Sequence, residues 1–136
     1  MSGGEDFFDT HVLLYLLLAD AAKADRAVEL LAIGGTISVQ VLNEFVAVAL
    51  GKLRMTWTEI REVLAQICAV CAVELISSEK QERAPQIAKR YGLSIYAAPI
   101  VPAALLAGCR TLHSEDMRDG QVIDRQLTIR DPFAPS

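Results

Sequence analysis

What most constrains this chain is its alternation of short apolar runs, bounded by turn residues, with longer stretches whose apolar side chains recur at helical spacing. Phe7 and Phe8, closed by Asp9 and Thr10, read as a buried strand, and residues 12–18 continue at helix-compatible spacing. A second helix is expected over 23–33, with Val28, Leu31 and Ile33 inward and Gly34-Gly35 as its stop. Residues 36–38 form the next strand. Over 39–53, Leu42, Phe45, Val46, Ala49 and Leu53 make one buried stripe, with Ser38 as N-cap. Residues 59–71 repeat such a stripe through Ile60, Val63, Leu64, Ile67, Cys68 and Cys71, behind a Thr56/Glu59 capping box.

Residues 73–76 then read as a strand. Ser78 and Gln81 make a second capping box, opening a helix that carries Ala84, Ile87, Ala88 and Tyr91 and ends at Gly92. Residues 94–107 are apolar enough for a helix stopped by Gly108. Pro99 and Pro102 each remove a backbone donor, so that helix starts late or bends. Residues 111–113 and 127–129 are the last strands. Strands alternating with helices imply an α/β fold with a parallel sheet covered on both faces, whose sites form at the carboxyl ends of strands. No repeat or linker divides the chain, so residues 1–136 are expected to form a single domain.

Composition narrows the partners. The formal net charge of −4 excludes a polybasic, histone-like protein but leaves room for nucleic acid at a locally arranged site. An odd count of 3 Cys offers no disulfide framework and fits a reducing compartment, expected to be the cytoplasm. The apolar stretches 12–19 and 95–107 are too short or too interrupted to span a bilayer, which needs about 20 residues. Glu5 and Asp6 stand where a secretory signal would need positive charge, so none is expected.

The candidate chemistry lies in the acids. Asp9 closes the first strand, Glu44 sits in an otherwise apolar helix, and Glu115, Asp116 and Asp119 follow the strand at 111–113. Clustered carboxylates repel unless a cation lies between them, and hard oxygen ligands of this kind suit Mg²⁺ or Mn²⁺. Such a site suits phosphodiester hydrolysis, in which metal-activated water replaces a nucleophilic side chain. Each acid also has a plainer reading. Asp9 and Thr10 can cap the following helix, Glu44 can be a solvated helix residue, and Asp119-Gly120 is a turn signal.

The segments Phe7-Phe8-Asp9-Thr10-His11-Val12-Leu13-Leu14-Tyr15, Ser38-Val39-Gln40-Val41-Leu42-Asn43-Glu44-Phe45 and Ser114-Glu115-Asp116-Met117-Arg118-Asp119-Gly120-Gln121 resemble the PIN-domain family. The likeness is strongest to the VapC-type toxin ribonucleases of bacterial toxin–antitoxin systems. Tyr91-Gly92-Leu93-Ser94-Ile95-Tyr96 and Leu127-Thr128-Ile129-Arg130-Asp131-Pro132-Phe133 extend it nearly end to end. The resemblance implies a three-layer α/β/α sandwich with a central, mostly parallel sheet. It also implies a Mg²⁺- or Mn²⁺-dependent endoribonuclease acting on RNA, usually a homodimer and often held inactive by an antitoxin protein. Carried over by motif, Asp9, Glu44 and Asp116 fall on metal positions and Asp119 on an accessory acidic position of the catalytic site.

The departures weigh against full activity. Where the family has an acid directly after the aromatic residue of Ser94-Ile95-Tyr96, this chain has Ala97. Losing a carboxylate lowers site charge and weakens a hard cation's binding. Pro99 and Pro102 in the same segment favour natural divergence over a single inactivating change. His11 stands where the family tends to carry a small amide or hydroxyl residue; it is either a hydrogen-bonding neighbour or a nitrogen ligand that shifts the site toward Mn²⁺ or a later transition metal. The alternative to an enzyme is a catalytically silent protein of this fold that binds an antitoxin or RNA without cleavage. A third reading is a structural dimer module with its interface around residues 42–64.

Other signals are read as structural. Cys68 and Cys71 lie on a helical stripe without a second pair, Cys109 is expected to be a small buried residue, and His113 lacks a metal-motif partner. Trp57 is a packing or interface residue, since no basic or aromatic cluster accompanies it. Lys52, Arg54 and Arg118 are available either to orient phosphates or simply to face solvent.

Overall fold

A computed structural model describes residues 6–75, 78–93 and 100–134, and for 78–84 the backbone only. Its elements run β1 (Asp6–Phe8), α1 (Thr10–Leu14), α2 (Ala21–Ile33), β2 (Gly35–Ser38), α3 (Val39–Gly51), α4 (Trp57–Val70) and β3 (Cys71–Glu74). They continue with α5 (Ser78–Tyr91), α6 (Ile100–Leu106), β4 (Thr111–His113), β5 (Val122–Ile123) and β6 (Leu127–Arg130). The strands form one sheet in the order β3-β2-β1-β4-β6-β5, parallel throughout except for β5 against β6.

That order places the site. From β1 the chain steps outward to β2 and β3, then crosses back to lay β4 on the other side of β1. Crossovers between parallel strands are right-handed, so reversing the direction of travel moves the connecting helices to the opposite face. Accordingly α1 packs on α3, and α2 and α3 on α4, while α5 packs on α6. The result is an α/β/α sandwich. Neighbouring strands whose connections leave in opposite directions part at their carboxyl ends, and here that crevice opens between β1 and β4. Phe7, Phe8, Ile37, Leu112 and Ile129 are fully buried within the sheet, and Val12, Leu13 and Phe45 pack over it.

Local signals account for most element ends. Ser38 caps α3 through the Val41 N–H at 3.1 Å, and the Thr56/Glu59 capping box opens α4 with both reciprocal bonds formed. Gly34, at φ +93°, ends α2 in a conformation that L side chains rarely adopt, and Gly92, at φ +67°, follows α5 in the same way.

Several expectations are corrected. The first helix ends at Leu14 instead of reaching residue 18, because Leu16 and Leu17 bond to carbonyls three residues back and the last turn tightens. Val28 and Ile33 face outward, 56% and 76% exposed, because the buried stripe of α2 is Ala27, Leu30 and Leu31. Cys71 begins β3 instead of ending α4, and Cys68 is exposed, one residue round the helix from buried Ile67. Strand β5 carried no signal: it has two residues and turns into β6 through Asp124 and Arg125, at φ 51° and 57°, without glycine. Cys109 and His113 are buried, and Trp57 is exposed at the start of α4. The side chains that would form the Ser78/Gln81 box, and the segment holding Ala97 and Pro99, lie outside the described residues. Among the described residues, no helix is long and apolar enough to cross a membrane.

Candidate active site

Strand β1 delivers Asp9 to the crevice, and β4 delivers Ser114 and Asp116 beside it. The Asp9 N–H donates to the His113 carbonyl at 3.0 Å, which extends the β1–β4 pairing to the residue that carries the carboxylate. Asp9 also caps α1. Its Oδ1 accepts from the Thr10 N–H and its Oδ2 from the Ser114 hydroxyl, each at 2.7 Å. The cap does not exhaust the side chain, since a carboxylate has lone pairs for these two bonds and more. Ser114 is fully buried and commits its hydroxyl to Asp9.

Glu44 comes from α3, and Thr10 ties it to the same corner. The Thr10 hydroxyl donates to Glu44 Oε2 at 2.8 Å, and the Gln40 amide donates to Oε1 at 3.4 Å. Asp116 Oδ2 lies 2.8 Å from His11 Nδ1, and both side chains are about half exposed. Asp9, Glu44, Asp116, His11 and Lys52 all line one cavity of about 560 Å³. Its remaining wall is apolar, formed by Leu14, Leu18, Val48 and Leu53 among others.

The electrostatics match this grouping. Burial pushes the Asp9 carboxyl above its ordinary value. The bonds from Ser114 and the Thr10 N–H pull it down, the negative charge of Asp116 adds to the rise, and His11 works against it. Asp9 is thus a desolvated carboxylate with a second acid nearby.

The acids following β4 diverge. Glu115 turns from the cavity to a clasp in which Tyr15 Oη and Lys23 Nζ donate to its two oxygens at 2.5 Å each. Burial alone would raise the Glu115 carboxyl, but the Lys23 ammonium and the Tyr15 hydroxyl bring it below its usual range. Asp119 does not line the cavity. Its Oδ1 accepts from the Asp131 N–H at 3.0 Å, which ties the loop after β4 to the end of β6. Lys52 lines the cavity with the acids. Arg118 lines a second cavity of about 240 Å³ beyond Asp116, and Arg54 is exposed at φ 51° and lines neither. Sequence reading offered Thr10 as a helix cap and named Ser114 only within a motif segment; neither bond, from Thr10 to Glu44 or from Ser114 to Asp9, had a local signal.

Among the described residues, no three His, Cys, Asp or Glu side chains are placed to hold a metal ion together. Mg²⁺ does not need such a cage. It keeps several waters and is commonly bound by one or two carboxylates with substrate phosphates completing the shell. A half-buried Asp9 with Asp116 nearby fits that mode in ligand chemistry, and Glu44 lies on the same cavity wall.

The model of the PIN domain matches residues 7–121. Three solved structures share the fold. A toxin–antitoxin complex from Klebsiella pneumoniae is 24% identical, covering 94% of this chain and 98% of that one, with a TM-score of 0.69. VapC20 of Mycobacterium tuberculosis, described as a Sarcin-Ricin loop cleaving toxin, is 21% identical over 82% of this chain and 89% of its own, with a TM-score of 0.63. PAE2754 of Pyrobaculum aerophilum is 19% identical over 83% and 75%, with a TM-score of 0.58. No curated protein matches the sequence.

Proposed function

The chain belongs to the PIN-domain family, and from that premise we propose that it is a metal-dependent endoribonuclease of the toxin type, hydrolysing RNA phosphodiester bonds at the cavity between β1 and β4. The observation that carries this reading is the meeting of Asp9, Glu44 and Asp116 on one cavity wall, from three separate stretches of chain. In it, Asp9 and Asp116 would hold Mg²⁺ or Mn²⁺ with water and substrate phosphate completing the shell, and Glu44 would add its charge from the same cavity wall. A divalent ion so held supplies charge to the phosphate oxygens and a more acidic water.

The chain's own groups do the rest. Ser114 and the Thr10 N–H fix the Asp9 carboxylate, Thr10 and Gln40 fix Glu44, and His11 orients Asp116. Lys52, on the same cavity, offers positive charge to a phosphate. The accessory part of Asp119 is positional, since it anchors the loop that carries Asp116. An antitoxin partner belongs to the same reading, supported by the toxin–antitoxin complex that shares the fold, and the reading also includes a homodimer and a cytoplasmic site of action. Ala97 favours one second reading, a protein of this fold that binds antitoxin or RNA without cutting.

Cleavage of mixed structured and single-stranded RNAs with Mg²⁺, Mn²⁺ or EDTA separates the two. EDTA-sensitive cutting abolished by Asp9→Asn supports the enzyme. A silent wild type whose activity appears on Ala97→Asp supports the binder.

A further inference from the structure

The 560 Å³ cavity is not alone at this edge of the sheet. On the far side of Asp116 lies the 240 Å³ cavity, lined by Tyr91, Gly92, Leu93, Met117, Arg118 and Gln121, with Asp116 itself as the wall common to both. The two depressions therefore meet at the carboxylate that the ribonuclease reading places against the scissile phosphate. Each contains one cation, Lys52 in the first and Arg118 in the second. Both side chains are exposed, and among the described residues neither has a carboxylate or other side-chain partner. Lys23, Arg90 and Arg26, by contrast, are paired with Glu115, Asp124 and Glu29, and Arg54, though exposed, lines neither cavity.

A protein of net charge −4 that keeps an unpaired cation in each of two adjoining cavities, on either side of an acidic centre, presents a plus–minus–plus sequence along one surface. The walls differ as well. Leu14, Leu18, Val48 and Leu53 give the first cavity an apolar wall against which a base face can pack. The second offers polar groups, including the Arg118 guanidinium and the Gln121 amide, whose nitrogen donates to the Tyr91 carbonyl at 3.3 Å while its oxygen stays available.

Resting on the ribonuclease reading, we propose that the two cavities form one continuous track for a single strand of RNA. The strand crosses over Asp116 with the phosphate on one side of the scissile bond held by Lys52 and the phosphate on the other side held by Arg118. Phosphate contacts of this kind set register and carry no base information, so Lys52 and Arg118 determine where the strand lies over the acids. The cavity beyond Asp116 is then a subsite for the nucleotide flanking the bond.

Fluorescence anisotropy with the Asp9→Asn protein in EDTA tests the track without requiring cleavage. The ligands are a labelled single-stranded octanucleotide and a dinucleotide with a single phosphodiester. Lys52→Ala and Arg118→Ala are each expected to weaken octanucleotide binding roughly threefold to tenfold and to reduce the salt slope by about one. Arg118→Lys should restore most of the loss, and the dinucleotide, too short to reach both cations, should lose affinity to no more than one of the substitutions. The track is overturned if Arg118→Ala leaves octanucleotide affinity and slope unchanged, or if Arg61→Ala, an exposed charge on α4, weakens binding equally. Cleavage by otherwise wild-type protein keeps the two ideas apart. Asp9-dependent cutting that ignores both cations sinks the track and leaves the enzyme; absence of cutting with binding that needs both cations sinks the enzyme and leaves the track.

Discussion

Asp9 carries opposing demands. Its carboxylate is taken out of water, yet it is held by two hydrogen bonds that favour its charged form. Burial wins, and its carboxyl titrates above the ordinary value. The sign follows from linkage: a group that binds protons more readily folded than unfolded adds stability at low pH and loses it as pH rises through the folded value. Asp9 therefore costs the fold stability as pH rises. Asp9→Asn is expected to raise the Tm at pH 7.5 while abolishing cleavage, and Mg²⁺ or Mn²⁺ to raise the Tm of the wild type but not of the variant, as read by calorimetry. Ser114→Ala leaves a half-buried Asp9 oxygen without its donor. It should cost about 1–3 kcal/mol in urea denaturation and lower cleavage roughly 10- to 100-fold, the range found when a ligand loses its supporting bond. Asp9 was legible as a strand-end acid. Ser114 was not, because a serine beside a strand looks the same whether its hydroxyl meets solvent or a carboxylate.

The elements are set by interactions a few residues long, which is why most of them could be read in advance. Ser38 shows the case, as its hydroxyl reaches only to the Val41 N–H. Replacing it with alanine should destabilise the protein by about 1 kcal/mol, measurable as a lower urea midpoint with unchanged slope. Gly35 shows the opposite. It looked like part of a helix stop, but it opens β2, where an added Cβ would lie 2.5 Å from the Phe8 ring and 2.9 Å from the Asp6 carbonyl. Gly35→Ala must push β2 away from β1, at a cost of about 1–3 kcal/mol. The faces of α2 were misread for a related reason. Val28, Leu31 and Ile33 are all apolar, and only the position of α4 decides which of them is covered.

At the scale of the molecule, His113 couples the sheet to pH. It is buried on β4 against the Phe8 ring, with Nε2 3.0 Å from Asp6 Oδ1 and with Nδ1 lacking any partner. Burial drives its imidazole below the ordinary value of 6.5; Asp6 pulls the other way and Arg26 adds to the drop. A depressed value means that its contribution to stability is complete above the unfolded value and is lost as pH falls through the folded one. The urea midpoint should therefore fall between pH 7.5 and 5.5, and His113→Gln, which can still donate to Asp6 but does not titrate there, should flatten that slope.

Chain order alone determined the alternation of strands and helices, the caps, the glycine stops and the acids that lie at strand ends. Each of these depends on backbone geometry and on neighbours within one or two turns. Only the tertiary structure decided which acids meet. Asp9 and Ser114, 105 residues apart, touch because β4 returns to lie beside β1. Glu115 and Asp116, adjacent in sequence, separate because one is drawn to Lys23 and Tyr15 and the other to His11. Such choices depend on strand order and on competition among distant partners, and no local spacing encodes either.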